Sequence, residues 1–343
     1  MGQSHDRRFF DPLLKLSLVA ILVSFGILIF YSWKLGLAAV LLSCISFITL
    51  ESISAPPANR PSIFIPWSRR QQQQRRPVLL CFGDGLTHGN CSASFTPEIP
   101  AKLCAKLGMD PPRYGLTFAD PLWVVNAGQN GITSHTILRE RLNHALGCYP
   151  DFVCVWIGMN DVRAMYSSVW AREVVGTNGL AEVPSLANFQ RNLSQIIQFI
   201  RQASPMVRVA VCTLPPMGEN LRSSANQWIR QANDVIEQVV ATSGDEKVCV
   251  IPIFANMESA LEKKRSRFSM PPEAFPFLMT LMCPLYHMMG TIFSWNVLSS
   301  LTGGMYLWDG IHLNERGADL VADLIVEWLM NVHVAKAIAV KCS

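Results

Sequence analysis

Apolar residues fall along this chain in two kinds of run, and each kind predicts a different structure. The first kind lies at the amino end. Leu13 to Ser32 (LLKLSLVAILVSFGILIFYS) is apolar over enough length to cross a hydrocarbon core of about 30 Å at about 1.5 Å per residue. It is too long for the apolar part of a signal peptide, and no small-residue cleavage site precedes the next run. That next run, Leu35 to Leu50 (LGLAAVLLSCISFITL), reaches only about 24 Å by the same rise, so it must thin the bilayer or recruit Ile53 and its neighbours. Residues 1–54 are therefore expected to form a membrane anchor, with one transmembrane helix over about 13–32 and a second over about 35–53.

The second kind of run begins at Pro77, where short apolar segments alternate with amphipathic ones. VLLCF (78–82), WVVNA (123–127), FVCVWIG (152–158), VRVAVCTL (207–214) and VCVIPI (248–253) are continuous and rich in β-branched residues, as strands covered on both faces are. Between them SHTILRERLNHAL, SLANFQRNLSQIIQFIRQA and ENLRSSANQWIRQANDVIEQVVAT carry apolar residues at three- and four-residue steps, the pattern of surface helices. Strands alternating with helices predict a parallel sheet between two helical layers, a three-layer α/β/α domain of flavodoxin-like order over about 77–334, with a tail at 335–343. Ligands of such sheets lie beyond the carboxyl ends of the strands.

Composition sharpens the membrane expectation. Half of the 343 residues are hydrophobic and only 16% are charged, a low share for a globular chain. Arg7, Arg8 and Lys15 stand at the start of the first span, Lys34 between the spans, and Arg60, Arg69, Arg70, Arg75 and Arg76 after the second, so a hairpin with both ends in the cytosol fits the charge bias best. Residues 55–76 read as a Pro-, Arg- and Gln-rich linker, either lying on anionic headgroups or serving as a solvated tether. Of the ten cysteines, Cys81, Cys154, Cys212 and Cys249 fall inside strand-like runs, where a thiol is a small core residue. None has metal-ligand spacing, so a reduced compartment and no metal or other cofactor are expected. Two glycosylation sequons, at Asn90 and Asn192, are then expected to stay unmodified.

Candidate chemistry sits where the fold expectation puts a ligand. The first strand ends in Gly83-Asp84-Gly85-Leu86, the second in Asn126-Ala127-Gly128-Gln129-Asn130-Gly131, the third in Gly158-Met159-Asn160-Asp161, and the last helix follows Trp308-Asp309-Gly310-Ile311-His312-Leu313-Asn314. Taken together and in this order, these blocks resemble the SGNH/GDSL hydrolase superfamily. The resemblance implies that the first block supplies a serine nucleophile, the second a glycine amide, the third an asparagine amide and the last a histidine base with its aspartate. Carried onto this chain, Gly131, Asn160 and the backbone amide of residue 85 become oxyanion donors, Asp309 the orienting acid and His312 the base. The nucleophile position is Gly85, which has no hydroxyl. Read alone, Gly131 is equally a turn glycine, Asn160 a helix cap, and His312 a loop histidine beside an Asn314 cap. His88 and His135 have no such context and are expected at the surface or behind the site.

A passage with almost no charge, Met270 to Gly304, precedes Asp309 and is broken by Pro271, Pro272, Pro276 and Pro284. It reads either as a Met-rich acyl or membrane contact or as a buried helical insert. The whole sequence predicts a membrane-anchored ester hydrolase scaffold for lipid or acyl esters, or a non-catalytic descendant that binds lipid or a partner in the same pocket. A membrane and an acyl ester are the expected partners, and no nucleic acid is.

Overall fold

The computed structural model of the protein describes residues 59–61, 77–110, 122–263 and 294–331, with scattered helical positions between Ala20 and Phe47. Five parallel strands, β1 (Val78–Gly83), β2 (Trp123–Gly128), β3 (Phe152–Trp156), β4 (Arg208–Cys212) and β5 (Val248–Ile251), form one sheet in the order β2-β1-β3-β4-β5. This is the flavodoxin-like order, and it follows from βαβ crossovers that place each helix on a sheet face. Gly83 pairs in register with Gly128 on one side and Trp156 on the other. Three strands thus end at one level, and their loops converge.

Eleven helices among the described residues complete the fold: α1 (Gly85–His88), α2 (Glu98–Leu107), α3 (Ser134–Glu140), α4 (Leu142–Leu146), α5 (Met159–Tyr166), α6 (Ser168–Asn178), α7 (Leu186–Ala203), α8 (Ser224–Ser243), α9 (Ile253–Lys263), α10 (Trp295–Thr302) and α11 (Glu315–Asn331). Helix α11 packs against α2 in one layer, and α7 packs against α3, α4 and α8 in the other. Every residue of β1 and β3 is buried, with Leu79 and Leu80 fully so, each worth roughly 1.5–3 kcal/mol of transfer free energy. On the face of β3 that carries Phe152, the ring of Trp328 from α11 stands edge-on at 6.0 Å. Cys81, Cys154, Cys212 and Cys249 share that face, as register requires, and all are free thiols. Their small side chains leave room for the indole.

Three expected boundaries shift, each for a local reason. The fifth strand stops at Ile251, because Pro252 has no N–H for the ladder and Ile253 already begins α9. The stretch from Ser134 to Leu146 divides into α3 and α4 at Arg141, whose φ of −119° departs from helical values. Helix α8 begins at Ser224, capped by the Ser223 hydroxyl, whereas Glu219 takes a left-handed φ of 54° and stays outside it.

The linker is not a free tether at Asn59, among its described residues 59–61. Strand β2 lies at the end of the sheet, so its outer edge needs partners. The carbonyl of Asn59 accepts from the Asn126 N–H at 2.9 Å, and its Nδ2 donates to the Val124 carbonyl at 3.0 Å. The anchor expected over 13–32 and 35–53, the rest of the linker, the apolar passage up to residue 293 and the tail lie outside the described residues apart from those scattered positions. Among the described residues, no helix is long and apolar enough to cross a membrane. The carboxyl end of the apolar passage is core on one face: Trp295 is buried and lies 4.8 Å from the ring of Trp308, so at Trp295 the lipid-contact alternative does not hold, while Val297 and Leu301 of the same helix are exposed.

Candidate active site

The turn after β1 is built by close approach. A Cβ on Gly83 would stand 2.0 Å from the Trp156 carbonyl oxygen, so only glycine lets the two strands end side by side. Asp84 then caps α1 and bridges two turns: Oδ1 accepts from Leu86 N–H at 3.1 Å and Oδ2 from Met159 N–H at 3.2 Å. Burial pushes the Asp84 carboxyl up to about 7, opposed by those two N–H groups and by His312, and reinforced by Asp161. Gly85 is the first residue of α1, where a backbone N–H has no intrahelical acceptor. A Cβ added there would stand 3.1 Å from His312 Nε2 and 3.1 Å from Asn130 Oδ1.

His312 is delivered by a closed loop. Leu307 and Leu313 bridge antiparallel, and Trp308 N–H donates to the His312 carbonyl at 3.0 Å. Inside the loop Asp309 is fully buried, with Oδ1 accepting from the N–H groups of Ile311 and His312 at 2.8 and 2.7 Å. Its Oδ2 lies 2.9 Å from His312 Nδ1. A carboxylate at that nitrogen holds the proton on Nδ1 and leaves Nε2 as the acceptor, facing Gly85. The loop is anchored by Glu219, whose carboxylate accepts from the N–H groups of Met305, Tyr306 and Leu307, and by the Trp308 indole N–H, which donates to the Cys91 carbonyl at 3.1 Å. Asn314 does cap the following helix, accepting from Gly317 N–H at 2.9 Å, so the cap and the histidine are separate devices in one loop.

Asn160 is not a cap. Gly158, with φ of 127°, starts α5, and the Asn160 side chain crosses instead to the second turn, where Nδ2 donates to the Ile132 carbonyl at 3.0 Å. Arg163 Nη1 donates to Asn160 Oδ1 at 2.9 Å; since a guanidinium only donates, it fixes which end of the amide is the oxygen. Arg163 is itself buried, 4.5 Å from the ring centroid of Trp170 and 3.7 Å from Glu173. Burial lowers its pKa, against Glu173, Asp309 and Asp84, yet a guanidinium remains charged. Gly131, next to Ile132, has φ of 72°, and its carbonyl accepts from Asn178 Nδ2 at 2.9 Å. That conformation rather than space calls for glycine, since an added Cβ would meet only Thr177 Cγ2 at 3.8 Å.

The expected residues thus converge from four loops: Gly85 and His312 face one another, Asp309 holds His312, and Asn160 is tied beside Gly131. His88 is buried at the end of α1 and His135 lies in the first turn of α3, outside the pair. Sequence reasoning passed over the polar residues that hold these loops. Asn126 donates to the carbonyls of Thr87 and His88 and to Thr96 Oγ1, bracing the turn that carries Gly85. Asp161 accepts from the N–H and hydroxyl of Ser134 at 3.0 and 2.6 Å, and burial pushes its carboxyl up to about 6. Their signal was present, since each stands in a quoted block, but nothing local announced a buried partner. Among the described residues, no group of three or more His, Cys, Asp or Glu could hold a metal ion.

In overall structure the chain is similar to a lipase/acylhydrolase from Enterococcus faecalis, at 18% identity and a TM-score of 0.43, covering 74% of this chain and 95% of that one. It is also similar to an acetylxylan esterase from Geobacillus stearothermophilus, at 16% identity and a TM-score of 0.47, covering 73% and 93%. A third, LAE5, an α/β hydrolase from the metagenome of Lake Arreo, Spain, shares 16% identity with a TM-score of 0.47 over 74% and 96%. No curated protein sequence matches significantly. The profile of the GDSL-like Lipase/Acylhydrolase family matches residues 81–320, well over half the chain and all four loops of the site, and the chain belongs to that family.

Proposed function

We propose that this protein is a membrane-anchored acyl-ester hydrolase of the family, acting on lipid or other acyl esters, with glycine at the nucleophile position. One observation carries the reading: the point where a side chain would begin at residue 85 stands 3.1 Å from His312 Nε2, while Nδ1 is held 2.9 Å from Asp309. That is the acid–base arm of a serine-type hydrolase aimed at position 85. In this reading His312 is the base, Asp309 orients it and stabilises the imidazolium, and the oxyanion is met by the N–H groups of Gly85 and Gly131 and the Asn160 amide. Losing one such donor typically costs about a hundred- to a thousandfold in rate. A second reading, a non-catalytic lipid- or partner-binding protein, is favoured by Gly85 itself, which has no oxygen to attack a carbonyl.

The membrane part of the proposal draws on the apolar runs and on Asn59. The docked Asn59 leaves six residues from Ile53, an extended reach of about 20 Å, so an anchor ending there holds the domain against the bilayer. The domain faces the cytosol in this reading. Of the two sequons only Asn90 can test it, because Asn192 is buried and donates to Ser134 Oγ at 3.1 Å. The activity is tested by a panel of p-nitrophenyl and lipid esters offered to the detergent-solubilised protein and its Gly85→Ser variant. Hydrolysis by the variant supports the hydrolase scaffold; a folded variant inert toward every ester supports the binding protein.

A further inference from the structure

One helix outside the four loops reaches two of the three groups assigned to the oxyanion. Trp170, Val174 and Asn178 stand four residues apart on α6 and so share one face, with Trp170 and Val174 buried. The helix stops on Gly179, whose φ is 59°, which leaves Asn178 as its last residue. There the Asn178 side chain grips the turn after β2 at two points. Its Oδ1 accepts from the Thr133 N–H at 3.1 Å, and its Nδ2 donates to the Gly131 carbonyl at 2.9 Å and to the Val174 carbonyl of its own helix at 3.0 Å. An N–H only donates, so Thr133 fixes which end of the amide is the oxygen. Between the two gripped residues lies Ile132, whose carbonyl accepts from Asn160. At the other end of α6 the Trp170 ring covers the guanidinium of Arg163, which holds the oxygen of that same Asn160.

We propose that α6 is the positioning element of the oxyanion site, with Asn178 setting the Gly131 turn and Trp170, through Arg163, setting the Asn160 amide. This rests on the reading of Gly131 and Asn160 as oxyanion donors. Neither Asn178 nor Trp170 touches the reacting atoms; each acts through the group it holds. The grip on the turn matters because Gly131, at φ of 72°, has no side chain to define its own conformation. Holding the Gly131 carbonyl and the Thr133 N–H fixes the two peptide units on either side of Ile132, and with them the direction of the turn. A donor must aim where negative charge develops, and a misplacement of about 1 Å can cost about a hundredfold. Apart from Trp170, α6 buries its apolar residues in a small cluster of their own, Ala171 and Val174 with Ala164 of α5. The contacts at its two ends therefore register it on the site.

The test uses the full-length protein in detergent, with p-nitrophenyl acetate as substrate. In a Gly85→Ser background, with sites counted by fluorophosphonate labelling of the introduced serine, Asn178→Ala should lower kcat per site by about ten- to a hundredfold with little change in KM. Asn178→Asp keeps the acceptor for Thr133 but sets a carboxylate against the Gly131 carbonyl, so it should do no better. Trp170→Leu should cost about tenfold, and Trp170→Phe, which keeps a ring over Arg163, should recover part of that. Thermal melts identify any variant that fails to fold, and Asn178→Asp decides if Asn178→Ala is one of them. A merely structural role would lower the melting temperature and leave kcat per site as it was. A second measurement needs no activity. The sequence has two Asn-Gly steps, Asn130-Gly131 and Asn178-Gly179, so isotope labels on the asparagine carbonyl carbon and the glycine nitrogen select two amide signals by NMR, and Asn178→Ala removes the second. The remaining Gly131 signal should shift or broaden well beyond the change seen in an exposed control, Asn256→Ala. An unmoved Gly131 signal, or an unchanged kcat per site in a folded Asn178 or Trp170→Leu variant, overturns the inference and leaves the hydrolase reading standing. A folded Gly85→Ser inert toward every ester overturns both.

Discussion

The loop from Leu307 to Asn314 and the turn from Gly83 to His88 face each other across the site, and they are built to different degrees. In the loop the polar pair is assembled: Asp309 places one oxygen on two backbone N–H groups and the other on His312, and Glu219 pins the approach from three further amides. In the turn the scaffold is equally well held, by Asp84, Asn126 and the close pass at Gly83, yet the position it presents carries no side chain. Backbone support and chemical function are thus separable. In the proposed reading, the fold keeps the geometry of a nucleophile elbow while its reacting atom is absent, because the N–H of residue 85 and the strand-to-helix turn do not depend on the side chain.

Four perturbations break or sharpen that contrast, beginning with the largest. In a Gly85→Ser background, Asp309→Asn should lower kcat by about ten-thousandfold, since the imidazole then loses its tautomer and its counter-charge. Steady-state kinetics check it, and a loss under tenfold would mean the loop does no acid–base work. In the same background Asn160→Ala should cost about a hundred- to a thousandfold in kcat with little change in KM, as a donor used only in the transition state should. Arg163→Met acts through Asn160 by freeing its amide to turn over; about a tenfold loss in kcat is expected, and Arg163→Lys should restore part of it. An equal rise in KM would instead point to ground-state binding.

The fourth perturbation is pH, and it probes two buried carboxyls, Asp84 in the turn and Asp161 in α5. The carboxyls of Asp84 and Asp161 sit at about 7 and about 6 in the fold, above the ordinary value of 3.8. Between about pH 4 and 7 the folded protein therefore holds protons that the unfolded chain has released, so stability is greatest below this window and is lost as pH rises through it. Urea midpoints measured across that range should fall with pH, and Asp84→Asn should flatten the trend. Midpoints that rise instead would show that both carboxyls are ionised in the fold.

How far the sequence made this legible depends on how local each signal is. The strands were readable because β-branched runs such as Val78 to Phe82 need no distant partner to declare themselves, and the order followed from their alternation with helices. The four loop blocks were readable because each is short and contiguous. What escaped were polar residues whose meaning lies far along the chain: Asp84 bonds to Met159, Glu219 to Met305 through Leu307, and Asn59 to Val124 and Asn126. No periodicity in their own neighbourhood marks such residues as buried. The split at Arg141 escaped, and the choice between lipid contact and buried insert at Trp295 stayed open, for the same reason, since tertiary packing rather than local pattern decides them.

The central claim is that position 85 is the nucleophile position of an otherwise working site. Its most direct measurement is the ester-hydrolysis rate and fluorophosphonate labelling of Gly85→Ser, with and without His312→Ala. A serine nucleophile is worth on the order of a millionfold in such triads, reduced here by whatever the 3.1 Å crowding at Cβ costs until His312 and Asn130 give way. The account predicts a gain of at least about a hundredfold, within that ceiling, with labelling at the introduced serine, both abolished by His312→Ala. A folded Gly85→Ser that neither labels nor hydrolyses any ester would contradict it.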